Sequence, residues 1–233
     1  MTSITIERMA GRGTITIPDL AAVIGAYYRA PGMATHLKPG GYDNPGDDED
    51  PHRITRADIR AANALAAHIR SDAWRAFVDA PAAPKWLSAL PDEPDALRVP
   101  PDAWTEHRTA VRDAIDALSG ERPKSAGITK VLHRKRPHLV PLVDSLVREQ
   151  IGAPAEPARM DVDGLMAVID HLVAQAVRHH ATLQDAIASA NGPDGVRGIS
   201  TLRALDIALW ATHPRSTITT GLRTTIAVDP SPR

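Results

Sequence analysis

The chain has 233 residues, 27 Lys and Arg against 28 Asp and Glu, a formal net charge of −1, and no cysteine. This length is enough for one large domain or two small ones, and a single domain, 1–233, is expected. The missing cysteines exclude disulfides, thiolate zinc sites and thiol nucleophiles, and 3% aromatic residues leave few platforms for stacked bases.

In chain order, "ITIERMAGRGTITIP" holds two β-branched runs around Gly11-Arg12-Gly13, which predicts a hairpin over Ile4–Ile17. No signal core precedes it and no apolar run reaches membrane-spanning length, so a soluble, cytoplasmic protein with no membrane partner is expected. Leu20, Val23, Ile24, Tyr27 and Tyr28 have helical spacing. Residues 30–53 are rich in Gly, Pro and Asp and predict a long loop. A helix follows, with Thr55 and Asp58 as a capping box and Ile59, Ala62, Ala66 and Ile69 as its apolar face. Short helical pieces surround Pro81 and Pro84, and "LPDEPDALRVPPD" is a linker.

The segment from Pro101 to Gly152 contains the densest chemistry. An amphipathic helix closes at Gly120, where a C′ glycine fits. Pro123 suits the first turn of the next helix, which runs through Ile128, Val131 and Leu132 until Pro137 stops it. Pro141 is read as starting a third helix, with Leu142, Val143, Leu146, Val147 and Ile151 inward and Asp144 in its first turn. From Glu121 to Arg136 there are six Lys or Arg, one acid and His133. Local physics reads Arg134, Lys135 and Arg136 as a solvated helix end and Asp144 as a first-turn carboxylate favoured by the helix dipole. His133 and His138 are expected to be exposed.

Beyond this segment, a long helix is predicted over 160–180, with Leu165, Val168, Ile169, Leu172, Ala176 and Val177 as its stripe. A second helix follows, capped by Thr182 or Gly192 depending on register, and another is entered at Ser200. Residues Thr217–Val228 read as a second β-hairpin around Gly221. The expected fold is mainly α, with short β-hairpins at both ends.

The block "LSGERPKSAGITKVLHRKRPHLVPLVDSLV" resembles the signature of the helix-hairpin-helix DNA glycosylases. There, a glycine-rich hairpin joins two helices and a Val-Pro-Val-Asp turn carries the catalytic carboxylate. The resemblance implies a glycosylase-like helical core over 101–152, with Asp144 as the catalytic carboxylate. It makes Lys124, at the start of the second hairpin helix, the amine nucleophile of a glycosylase/lyase. Gly120, Lys130, Arg134, Lys135 and Arg136 become candidate nucleic-acid contacts. The sequence departs from that signature in keeping one hairpin glycine, in placing Pro123 before Lys124, and in one extra residue between Pro141 and Asp144. The wider pattern, with its Lys-Arg-Pro…Pro…Asp-Ser block, also resembles a family of uncharacterised bacterial proteins.

The function expected from the resemblance is a hydrolase that cleaves an N-glycosidic bond, with DNA or another nucleic acid as partner. A buried carboxylate stabilises the oxocarbenium-like state, and cations hold neighbouring phosphates. Two alternatives stand beside it: a non-catalytic nucleic-acid-binding module, and an enzyme reusing the scaffold on a small nucleoside-like substrate. Trp104 and Trp210 are candidate walls for a base, with core packing as the plainer role. The adjacent His179 and His180 face different sides of a helix and are not read as a metal site. No P-loop, dinucleotide fingerprint or serine elbow is present, so no metal or cofactor is expected. The oligomeric state stays open.

Overall fold

A computed structural model describes residues 2–46, 49–70, 78, 84–91, 101–119, 124–155, 161–190, 199–216 and 218. The N-terminal hairpin forms as its β-branched runs require. Strands β1 (Ile4–Glu7) and β2 (Thr14–Ile17) pair antiparallel with Ile4 opposite Ile17. The expected C-terminal hairpin, Thr217–Val228, lies almost wholly outside the described residues, as does Gly120.

The rest is mainly helical. Helices α1 (Leu20–Arg29), α2 (Arg56–Ala64) and α3 (Lys85–Ala89) are followed by α4 (Pro101–Ser119) and α5 (Ser125–Lys135). Then come α6 (Ser145–Gln150), α7 (Val162–Arg178), α8 (His180–Ala190) and α9 (Thr201–Thr212). Helix α9 lies at the centre. It packs against α1, α6, α7 and α8, and its residues 201–209 are buried except for partial exposure that begins at Trp210. One hydrophobic cluster runs from Ile4 and Ile6 through Val23, Ile115, Ile128, Val143 and Ile169 to Leu205. No described helix is long and apolar enough to cross a membrane.

Local signals explain several boundaries. Thr55 and Asp58 make the reciprocal capping box of α2, with Thr55 N–H donating to Asp58 Oδ2 at 2.7 Å. That helix ends at Ala64, short of the predicted face. Ala66 and His68 take positive φ, and the Asn63 amide then clamps both the N–H and the C=O of Ile69. Ser200 caps α9 as expected, its side chain accepting from Arg203 N–H. In α7 the predicted stripe holds except at Val177, which is 47% exposed, while Val173 is buried instead. Helix α8 begins at His180, two residues before Thr182, so Thr182 is not its cap.

Two expectations in the central segment are corrected. Pro141 does not start a helix: residues 140–144 are non-helical, and α6 begins at Ser145. The apolar side chains of Leu142 and Val143 are buried from this segment, and Thr129 Oγ1 on α5 accepts the Val143 N–H at 3.1 Å. Helical spacing and a buried extended pair look alike over so few residues. The second correction concerns the basic end of α5, which is not a solvated helix end.

Candidate functional site

The end of α5 is turned inward. Arg134, Lys135 and Arg136 are 3%, 8% and 2% exposed, so the free cationic face expected of these three residues is absent. Burial of three cations demands compensating charge and carbonyls. Asp58, itself fully buried in α2, takes Arg134 Nε at 3.1 Å and Lys135 Nζ at 2.8 Å. Arg134 also reaches Glu49 at 2.5 Å and the carbonyls of Gly41 and Tyr42. Lys135 donates to the Asp50 carbonyl at 3.0 Å. Arg136 donates to the carbonyls of Pro51, Leu87 and Leu90. The cations therefore bind the protein's own long loop.

That loop, read from sequence as irregular, contains a 3-10 turn at Met33–Leu37 and a tight bridge between Gly41 and Asn44. Gly41 is required there, because a Cβ would lie 2.5 Å from the Thr35 carbonyl oxygen and 2.6 Å from that of His36. The turn drives Tyr42 into the core, where its hydroxyl donates to the Lys130 carbonyl at 2.7 Å. Its ring lies parallel to that of His133, 6.1 Å between centroids. His133 is buried, not exposed as expected, and its Nδ1–H donates to the Val140 carbonyl. Desolvation, with Arg203 nearby, pushes its pKa down to about 4. His138 is exposed, as expected.

Behind Tyr42 lies a buried charge cluster. Arg203, on α9, donates from Nε to Asp43 Oδ1 at 2.7 Å and from Nη2 to Asp43 Oδ2 at 3.2 Å. The same guanidinium bonds Asp206 one turn on and the Tyr27 hydroxyl at 2.8 Å. It also stacks on the rings of Tyr27 and Tyr42. Tyr28 donates its hydroxyl to Asp43 Oδ2 at 3.0 Å, so the adjacent tyrosines serve one network from two sides. Burial pushes Tyr27 up to about 12, against the opposing pull of Arg203.

Asp144 sits at the edge of this cluster. It is the N-cap of α6, half-buried, and its Oδ1 accepts the N–H groups of Leu146 and Val147, both at 3.0 Å. Its Oδ2 takes no hydrogen bond among the described residues. A cap carboxylate bonded through one oxygen is fixed in place with the second oxygen available for other chemistry. Lys124, proposed as its partner amine, is the exposed N-cap of α5 and forms no ion pair with Asp144.

Lys130 is the buried amine of the site. It is 5% exposed, and Nζ donates to the Leu65 carbonyl at 2.5 Å. Desolvation lowers its pKa, opposed by the charges of Asp144 and Asp206. Asp206 is pushed up to about 7, mainly by burial, with Asp144 adding to the shift and Arg203 and Lys130 opposing it. Lys130 from α5, Asp144 before α6 and Asp206 from α9 are thus mutually coupled. Asp206 and Arg203 were not singled out from the sequence, although two charges three apart in the apolar run "TLRALDIALW" mark a buried pair.

The remaining candidates have structural partners. Trp104 donates to Asp170 at 3.4 Å, Trp210 meets Tyr27 edge-on, and both pack against the core. His179 bonds the Thr5 carbonyl, and no group of three or more metal-ligating side chains occurs among the described residues. No curated protein and no solved structure matches the chain. The model of a family of unknown function, DUF6308, matches residues 20–213, and the chain belongs to this family.

Proposed function

We propose that the protein is a hydrolase cleaving an N-glycosidic bond, with Asp144 as the stabilising carboxylate and Lys130 as the amine. The observation that carries the reading is the cap geometry of Asp144, and a buried lysine of lowered pKa on the preceding helix supports it. Oδ1 is fixed by two backbone donors, and Oδ2 is left to face developing positive charge on a sugar. An amine nucleophile needs a depressed pKa, and burial lowers that of Lys130, whereas Lys124 is exposed. The resemblance to helix-hairpin-helix glycosylases rests on the sequence of this segment, whose hairpin residues 120–123 lie outside the described residues.

A second reading is favoured by a separate observation. Arg134, Lys135 and Arg136 are committed to the loop, so they offer no phosphate-binding row. A small nucleoside-like substrate needs no such row and suits the same carboxylate and amine. The alternatives separate in one experiment. Purified protein is incubated with free nucleosides, with duplex DNA carrying damaged bases, and with abasic-site DNA plus borohydride. Base release that falls 100-fold or more in Asp144→Asn supports the carboxylate role, about 2.7 kcal/mol of barrier. Covalent trapping lost in Lys130→Ala and kept in Lys124→Ala supports the amine role. No base release from either substrate class defeats the glycosidic reading.

A further inference from the structure

We propose that Thr129 is a positioning residue that fixes the Asp144 carboxylate, with His133 as a second grip on the same turn. The inference deepens the reading above and rests on Asp144 being the reactive carboxylate. Its basis is a set of direct bonds from one face of α5 to the backbone that leads into Asp144. Thr129 and His133 are four residues apart, so their side chains leave α5 on the same side. Both are buried, Thr129 completely.

The Thr129 hydroxyl has one hydrogen, and its shorter acceptor contact is the Ser125 carbonyl one turn back, at 3.0 Å. A longer contact, 3.4 Å, runs to the Val143 carbonyl. With the hydrogen turned to Ser125, an oxygen lone pair is left for the Val143 N–H, which donates at 3.1 Å. One turn along α5, His133 Nδ1–H donates to the Val140 carbonyl at 2.6 Å. The N–H groups of Leu139 and Val140 both donate to the Arg136 carbonyl at 3.0 Å. Pro141, between the two grips, has no N–H to offer. Residues 140–143 are buried and non-helical, so their polar backbone needs partners from outside the segment, and α5 supplies them. The His133 ring is itself backed by the parallel ring of Tyr42, whose hydroxyl donates to the Lys130 carbonyl.

Asp144 follows Val143 directly. On its other side α6 begins, and Oδ1 accepts the N–H groups of Leu146 and Val147. The carboxylate therefore stands between a backbone pinned at Val143 and a helix anchored by the fully buried Val147. A hydroxyl too buried to meet a substrate thus sets where Oδ2 lies. Misplacing a reacting group by about 1 Å can cost roughly 100-fold in rate.

Two readouts on the full chain test the proposal. Thr129→Val nearly keeps the side-chain shape and deletes the hydroxyl, and Thr129→Ser restores it. The first readout is base release from the free nucleoside or damaged-base duplex that the unsubstituted protein cleaves. In Thr129→Val, kcat should fall by about 10- to 100-fold with KM within about 3-fold, and Thr129→Ser should recover most of the rate. Added to Asp144→Asn, Thr129→Val should lower the rate by less than about 2-fold more, because the carboxylate it positions is already gone. The second readout, amide hydrogen exchange by NMR, needs no substrate. Thr129→Val should lose protection at Val143, Leu146 and Val147 by about 10-fold or more relative to the amides of α9, with recovery in Thr129→Ser. A merely structural hydroxyl would lower protection everywhere together, leave kcat per folded molecule unchanged, or cost the same rate in Asp144→Asn; any of these overturns the proposal. If Thr129→Val does not fold, His133→Phe decides, since it keeps a ring against Tyr42 and removes the Val140 donor. It should loosen the same three amides and lower kcat, and an unchanged turn refutes the proposal. If the unsubstituted protein releases no base, the glycosidic reading fails by itself and the exchange pattern decides this one. Local loss at the three amides then supports it, and a uniform or absent change refutes it.

Discussion

Replacing Arg134 with alanine discriminates between a solvated helix end and an internal tie. The Arg134 side chain is fully buried against Asp58 at 3.1 Å and Glu49 at 2.5 Å, and it satisfies the Gly41 and Tyr42 carbonyls. Truncation strands two carboxylates in a desolvated site, which costs about 3–5 kcal/mol when one partner of a buried pair is removed. Two carbonyls lose a donor as well, each worth about 1–3 kcal/mol if left dry. Lys135, still 2.8 Å from Asp58, offsets part of this, and loop relaxation admits water to the carbonyls. The net expectation is a loss of about 4 kcal/mol, which for a chain of this size lowers Tm by roughly 8–16 °C. A solvated arginine would cost less than about 0.5 kcal/mol. Differential scanning calorimetry at pH 7 reads the difference directly, and limited proteolysis should open residues 41–51 first. A Tm within about 3 °C of the unsubstituted protein would refute the argument.

His133 and Asp206 predict opposing pH dependences. His133 titrates at about 4 in the fold against an ordinary 6.5, so its contribution to stability is complete above 6.5 and is lost as pH falls towards 4. Asp206 titrates at about 7 against 3.8, so its contribution is complete below 3.8 and is lost as pH rises through 7. The two slopes offset each other between pH 4 and 7. Urea titrations should therefore show stability rising with pH in Asp206→Asn and falling with pH in His133→Asn, whose amide still donates to Val140; parallel curves would contradict both assignments. Gly41→Ala forces a methyl group into contact with three carbonyl oxygens and should cost about 1–3 kcal/mol in chemical denaturation, whereas Gly46→Ala, with only a distant neighbour, should be near neutral. Tyr42→Phe removes one buried hydroxyl bond to Lys130 and should cost about 1 kcal/mol by the same assay.

What could be read from the residues was mostly local. The Thr55–Asp58 box, the Ser200 cap, the Ile4–Ile17 hairpin and all but one position of the α7 stripe follow from neighbours within a few residues. Asp144 was identified as a carboxylate at a helix start, though the start is its own cap and not Pro141. The failures are long-range. A run of cations beside a proline has the same local appearance whether it meets water or a carboxylate, and Asp58 lies 76 residues from Arg134. That Lys130 is buried and Lys124 exposed has the same origin. Lys124 caps α5 and Lys130 lies within it, but only the Leu65 carbonyl, brought from 65 residues away, shows which of them is buried. Asp43 sits in a stretch whose composition argues for irregularity, and its purpose becomes visible only with Arg203 in place.

The network around Arg203 also sets an order of assembly. One guanidinium on the helix beginning at Thr201 ties together α1, through Tyr27, and the loop, through Asp43, a separation of 160 residues for the latter. As the chain leaves the ribosome, Tyr27, Tyr28, Tyr42 and Asp43 emerge long before their cation does. Until α9 follows, Asp43 has no guanidinium to neutralise it, and the loop is held by α5 and by Tyr28. Contacts of such sequence separation form late and slow the closing of a fold. Vectorial synthesis therefore leaves the N-terminal third waiting on the last described helix, and ribosome stalling before Arg203 would release a chain whose acidic loop is open to proteases.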